Sequence, residues 1–121
     1  MKYSKYFRWL LPILLANIYL IAGASAGWFG IFLNVSGSGV FWNPTVDSIT
    51  ITEIIPDSPA AIGHLTTGDV ILEIEGNPVV GAKASFLRSK MKREVGETLH
   101  LKLQRKNGET YLATLIAAKK P

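Results

Sequence analysis

The segment Gly27-Trp28-Phe29-Gly30-Ile31 carries the most specific chemistry in this 121-residue chain. Gly30 stands between two bulky residues. With no Cβ it lets the backbone approach a ligand closely and take φ values that other residues avoid. Successive N–H groups of Phe29, Gly30 and Ile31 can then converge on one anion, so the loop can hold a carboxylate without formal charge. Ile31, Phe32, Leu33 and Asn34 follow as an extended run, on whose edge a peptide could pair as an added strand. Phe29, Ile31 and Leu33 sit at alternate positions and share a face, which would form an apolar pocket for the last side chain of that peptide. A helix over 84–93 is expected to supply the second wall, with Ala84, Leu87 and Arg88 nearest. Spacing alone admits a plainer alternative, a buried strand start with Trp28 and Phe29 as core aromatics.

Other chemistry is poorly supplied. The chain has no cysteine, which excludes disulfide scaffolds, Cys-based zinc sites and thiol catalysis. His64 and His100 are far apart in sequence, with no acid at ligand spacing beside them, and read as turn or surface residues. Asp69, Glu73 and Glu75 lack the spacing of a calcium loop, and Asp69 is expected to fix the Gly68 turn. A hydrolase needs a nucleophile, a base and an orienting group, and no Gly-x-Ser-x-Gly elbow is present. No catalytic residue, metal site or cofactor is expected. Asn34-Val35-Ser36 matches a glycosylation acceptor pattern, but it lies on the proposed ligand-binding strand.

The elements that must position the loop lie in one domain. At 48% hydrophobic and 18% charged, the chain is too apolar to be disordered and too polar to span a membrane repeatedly. Residues 1–8 carry Lys2, Lys5 and Arg8 and no acid, an apolar run follows from Trp9 to Ala22, and Ala24-Ser25-Ala26 closes it. This is the pattern of a secretory signal cleaved before Gly27, with an uncleaved anchor as the alternative. Setting those three cations aside lowers the formal charge from +4 to +1. Nucleic acid is therefore not an expected partner.

Along residues 27–121 the pattern alternates between strand and turn. A strand reaching Val35 is expected to break at Ser36-Gly37-Ser38-Gly39, followed by the aromatic patch Val40-Phe41-Trp42. Ser48 to Ile55 and Val70 to Glu75 read as strands. Between them, Ser58 is placed to cap a short helix with Pro59 at its first position. Leu87 and Met91 share one face of the 84–93 helix. Its cations Lys90, Lys92 and Arg93 read as a solvated face, with acidic peptide positions or anionic lipid as functional alternatives. Thr98 to Arg105 alternates cleanly, and Asn107-Gly108 turns it into the last strand, Tyr111 to Ile116.

In this order the signals resemble a PDZ domain. Trp28-Phe29-Gly30-Ile31 is similar to its carboxylate-binding loop. Ile54-Ile55-Pro56-Asp57-Ser58-Pro59-Ala60-Ala61, Leu65, Gly68-Asp69-Val70-Ile71-Leu72 and Gly76-Asn77-Pro78-Val79 resemble the central block of bacterial members, most of all the module of HtrA-type envelope proteases. One departure stands out: bacterial relatives usually carry Ala-Gly-Leu where this chain has Gly63-His64-Leu65. Either the turn is rebuilt around His64 or it follows the animal-type variant.

The resemblance implies an α+β fold, a small partly open β-barrel or sandwich of five or six strands with two helices. Taken with the signal pattern, it implies an exported, periplasmic or secreted binding module, and 121 residues leave no room for a protease domain beside it. Its partners would be protein C-termini or extended peptides with an apolar last residue (Val, Ala, Leu or Phe), since no charged residue is expected on the pocket floor. Two alternatives stay open: an adaptor subunit for a separate envelope protease, and a structural module tethered to the membrane by an uncut signal.

Overall fold

The computed structural model describes residues 26–121; the expected export signal, apart from Ala26, lies outside them. Strand β1 spans Ile31–Ser38 and β2 Thr45–Ile54. Helix α1 is the single turn Pro59–Ile62, followed by β3 at Val70–Ile74 and the two-residue β4 at Asn77–Pro78. Helix α2 is Ala84–Met91, and β5 (Thr98–Gln104) and β6 (Thr110–Ile116) close the fold. All pairings are antiparallel, in the order β1-β2-β3-β5-β6 with β4 on β3. The expected α+β architecture of five or six strands with two helices forms, with six strands and two helices among the described residues.

Alternation builds the core. In β5, Leu99, Leu101 and Leu103 are buried while Thr98 and His100 face out, and in β6 Ala113 and Leu115 face the same way inward. They pack with Ile49, Ile51, Ile71, Ile74, Val79 and Leu87. A short helix could not persist alone. Here Ser58 accepts the Ala61 N–H at 3.2 Å, Pro59 occupies the first turn, and Pro59 and Ala60 are buried against the sheet.

Two expectations are corrected. The glycine-serine run does not end the first strand: Ser36, Gly37 and Ser38 pair with Ser48, Val46 and Thr45, and the hairpin is longer on both sides. Bulges on β2 absorb the irregularity, leaving Thr52 and Asp47 without a cross-strand partner. Polar residues and glycine weaken a strand signal without forbidding the pairing, which Val46 and Ile49 secure by burial. Helix α2 ends at Met91, not at residue 93, because Lys92 is already extended at φ −68° and ψ 126°.

The turn after α1 is built around His64. Gly63 keeps an ordinary φ of −77° and His64 takes φ 63°. Gly63 is needed for packing, since a Cβ there would sit 2.5 Å from Leu115 Cδ2. Asp69, 2% exposed, pins the same region. Its carboxylate accepts the Thr66 N–H and an Arg105 N–H, both at 3.0 Å, and the Tyr111 hydroxyl. Arg105 stacks 4.0 Å over the Tyr111 ring and donates to the His64 carbonyl. Burial, then the Asp69 hydrogen bond and charge, push the Tyr111 hydroxyl well above its ordinary pKa.

A candidate carboxylate loop and peptide groove

Residues 26–30 are held on three sides. The Gly27 N–H donates to Arg93 O at 2.7 Å, and Trp28 exchanges two hydrogen bonds with Ala118, at 2.8 and 3.0 Å. On the third side Phe29 O accepts from Ala60 N–H (3.1 Å) and Gly30 O from Ile55 N–H (2.9 Å). The carbonyls of the loop are thus turned inward. Among the described residues the N–H groups of Phe29 and Gly30 have no hydrogen-bond acceptor. Gly30 permits this arrangement. Its φ is +74°, and a Cβ would lie 2.2 Å from Ser58 Cβ and 3.1 Å from the Trp28 ring.

Beyond the loop, β1 pairs with β2 alone among the described residues, so its other edge is open. Thr52 donates its hydroxyl to Phe32 O at 3.1 Å, so that carbonyl faces β2 and not the open edge. A cleft of about 880 Å³ lies between this edge and α2. Its less exposed walls are Phe29, Gly30, Ile31, Leu33 and Met91, and its exposed rim carries Arg88, Lys92, Glu94 and Glu97.

The residues expected at the site distribute unevenly. Phe29, Gly30, Ile31, Leu33 and Arg88 all line the cleft. Leu87 is 3% exposed and belongs to the core, with Ala84 packed beside it, so neither lines the cleft. Phe32, 52% exposed, points to a second hollow that it shares with Trp28, Ile31, Ile55, Lys120 and Pro121. Met91 is a lining residue that the sequence reading did not nominate, and Lys92 is one that it read as a solvated cation with contact to acidic peptide positions only as an alternative. With Arg88 they form the i, i+3, i+4 row, one position round the helix from Leu87. The rim is charged; the expectation of no charged residue concerned the pocket floor alone, and Arg88 was already expected at the wall.

Those charges are unequal. Arg93, also in the cleft wall, is committed: it meets Glu75 at 2.9 Å and donates Nε to Thr98 O at 2.8 Å. Glu97 accepts the Glu94 N–H at 2.7 Å. Arg88 and Lys92 have no carboxylate at ion-pair distance among the described residues. The groove therefore presents, among the described residues, two cations without a carboxylate partner beside an apolar floor. No group of three or more potential metal ligands exists among the described residues.

The comparisons with known proteins concern this fold. No curated protein matches the chain. Among solved structures, the PDZ domain of a carboxy-terminal protease from Vibrio cholerae, in complex with a peptide, is 22% identical with a TM-score of 0.60; the match covers 81% of this chain and 98% of that one. A photosystem II D1 C-terminal processing protease is 20% identical with a TM-score of 0.64, over 80% of this chain. The HtrA-type protease AlgW S227A with a decapeptide is 23% identical with a TM-score of 0.57, over 79% of this chain. This chain spans only 24% and 30% of those two proteases. The family model described as PDZ domain matches residues 29–116, from the candidate loop to the end of β6, and the chain belongs to the PDZ-domain family.

Proposed function

We propose that this domain captures the C-terminal end of another exported protein by adding it as a strand to the open edge of β1. The N–H groups of Phe29 and Gly30, without acceptors among the described residues and beside an apolar cleft, carry this reading. The peptide carboxylate takes those donors, main-chain hydrogen bonds to β1 supply sequence-independent attachment, and the last side chain enters between Ile31, Leu33 and Met91. An apolar final residue suits that floor. Arg88 and Lys92 favour acidic residues upstream. A few ordered peptide residues cannot offset large association costs, so affinity is expected in the micromolar range, about 8 kcal/mol.

Export is part of the same reading, resting on the basic, apolar and Ala24-Ser25-Ala26 sequence pattern. Cleavage before Gly27 would leave its new amino group facing Arg93 O, the acceptor its N–H already has. The peptide structures of the Vibrio cholerae domain and of AlgW support the class of ligand.

Amide NMR titration of a chain starting at Gly27 tests the reading, since every core residue among the described residues lies between Phe29 and Ala117. Saturable shifts at Phe29, Gly30 and Ile31 are expected with peptides ending in Val, Ala, Leu or Phe, and loss of those shifts on C-terminal amidation. Equal binding of amidated and free peptides would refute the carboxylate role. Silence across the library would refute the groove.

A further inference from the structure

The hairpin joining β1 to β2 ends in Val40, Phe41 and Trp42, which are 41%, 88% and 72% exposed. The two rings meet edge to face at 5.2 Å, and none of the three residues lines the peptide cleft. The base of this tip is braced. Asn43 N–H donates to Val40 O at 3.1 Å, while Asn43 Oδ1 accepts the Ser85 N–H at 3.0 Å. Pro44 O accepts from Ala84 N–H at 2.9 Å, and Val46 exchanges hydrogen bonds with Ala82 (2.8 Å) and Gly81 (2.9 Å). These bonds fix the aromatic tip against the start of α2, so little ordering cost remains when it docks.

The flanking surface is basic. From Gly76 to Arg93 there is no acid, and five cations occur: Lys83, Arg88, Lys90, Lys92 and Arg93. Lys83 is exposed next to the first turn of α2, and Lys90 lies 5.4 Å over the ring of Phe86, itself exposed. The opposing acids are Asp47, exposed at the second bulge of β2, and Glu94 and Glu97 beyond the far end of the helix. Arg88 and Lys92 border the cleft, whereas Phe86 and Lys90 do not.

We propose that the Val40–Trp42 tip, with Lys83 and Lys90, docks on the surface of a lipid bilayer that contains anionic phospholipid. Size argues against a protein partner. A Phe and a Trp expose at most roughly 150–250 Å² each, well short of the roughly 800 Å² per partner of a stable protein interface. A bilayer needs no matching socket: aromatic side chains settle at the headgroup level, and the lysines gain from the negative surface potential. Docking by this face leaves the cleft open, and it stands whether or not the cleft binds peptide.

The absence of cysteine makes the test direct. A Val40→Cys variant of the full chain takes one environment-sensitive fluorophore at the tip, and Asn107→Cys takes the same label at the β5–β6 turn. Vesicles of phosphatidylcholine are compared with vesicles containing about 30% phosphatidylglycerol. The apolar N-terminal run can itself bring the chain to vesicles, so the readout is the depth of the label and not binding. With anionic vesicles the tip label is expected to shift to the blue and be quenched by spin-labelled lipid, while the Asn107 label stays in water. Adding Phe41→Ser and Trp42→Ser should return the tip label to water. Lys83→Gln with Lys90→Gln should lower the ratio of inserted to free tip on the order of tenfold. A tip label that stays aqueous on vesicle-bound chain overturns the proposal. So does equal insertion of the Asn107 label, or insertion indifferent to both sets of substitutions.

Discussion

Gly30 carries two constraints that no other residue type meets together. Its φ of +74° places it in the left-handed region, which costs a residue with a Cβ roughly 1–2 kcal/mol. A Cβ would also collide with Ser58, whose own Cβ is buried under the loop and cannot retreat cheaply. Overpacking of this kind costs roughly 1–3 kcal/mol. Gly30→Ala should therefore lower unfolding stability by about 2–5 kcal/mol in a urea titration. It should also abolish peptide-induced shifts where the domain remains folded, because the loop N–H groups would be re-aimed. This position was legible in the sequence, since a glycine between bulky residues in an apolar run has few other uses. His64 was half legible: the displaced glycine marked an unusual turn, but only the backbone shows that His64 itself takes the left-handed conformation, leaving Gly63 to meet Leu115.

Among the elements, those with strict alternation could be read directly. Leu99, Leu101 and Leu103 announce β5, and Asn107-Gly108 fixes its hairpin to β6. The end of β1 could not be read, because its pairing depends on bulges in the partner strand and not on its own residues. Helix phase was the other gap. Leu87 looked like a groove residue because an apolar helix position serves equally for core or cleft, and only the packing against β3 and the rest of the core decides. The row Arg88, Met91 and Lys92 lines the cleft; on the proposed function the apolar member would close the pocket floor and the cations would lie along the peptide. Each exposed charge pair is worth roughly 0.2–1 kcal/mol. Arg88→Glu combined with Lys92→Glu should thus shift preference from acidic to basic upstream residues, by up to about tenfold in dissociation constant. The effect should shrink in high salt, while the choice of last residue is unchanged. Peptide arrays probed at two ionic strengths would check it; a changed last-residue preference would put these side chains in the pocket instead.

At the scale of the whole molecule, two polar clusters join segments that are distant in sequence. The first, Asp69 with Arg105 and Tyr111, ties the turn after α1 to the β5–β6 hairpin. Removing one donor from a buried carboxylate costs roughly 1–3 kcal/mol, so Tyr111→Phe should lower the urea midpoint accordingly without altering peptide affinity. The second is Glu75, at the β3–β4 turn. It accepts the His100 N–H at 2.8 Å, pairs with Arg93 and approaches the His100 ring. Burial pushes its pKa up, but these hydrogen bonds and the Arg93 charge outweigh that and hold it below the ordinary carboxylate value. The folded state thus binds this proton less tightly than the unfolded chain does. Its stabilisation is complete above the ordinary carboxylate range, about pH 4.3, and is lost as pH falls through the lowered folded value. Thermal melts of the native chain and of Glu75→Gln should differ most near neutral pH and converge as the solution is acidified below pH 4, about where Gln imitates the protonated acid. A gap that stays constant down to that acidity would mean that Glu75 acts through packing and hydrogen-bond geometry, and not through its charge.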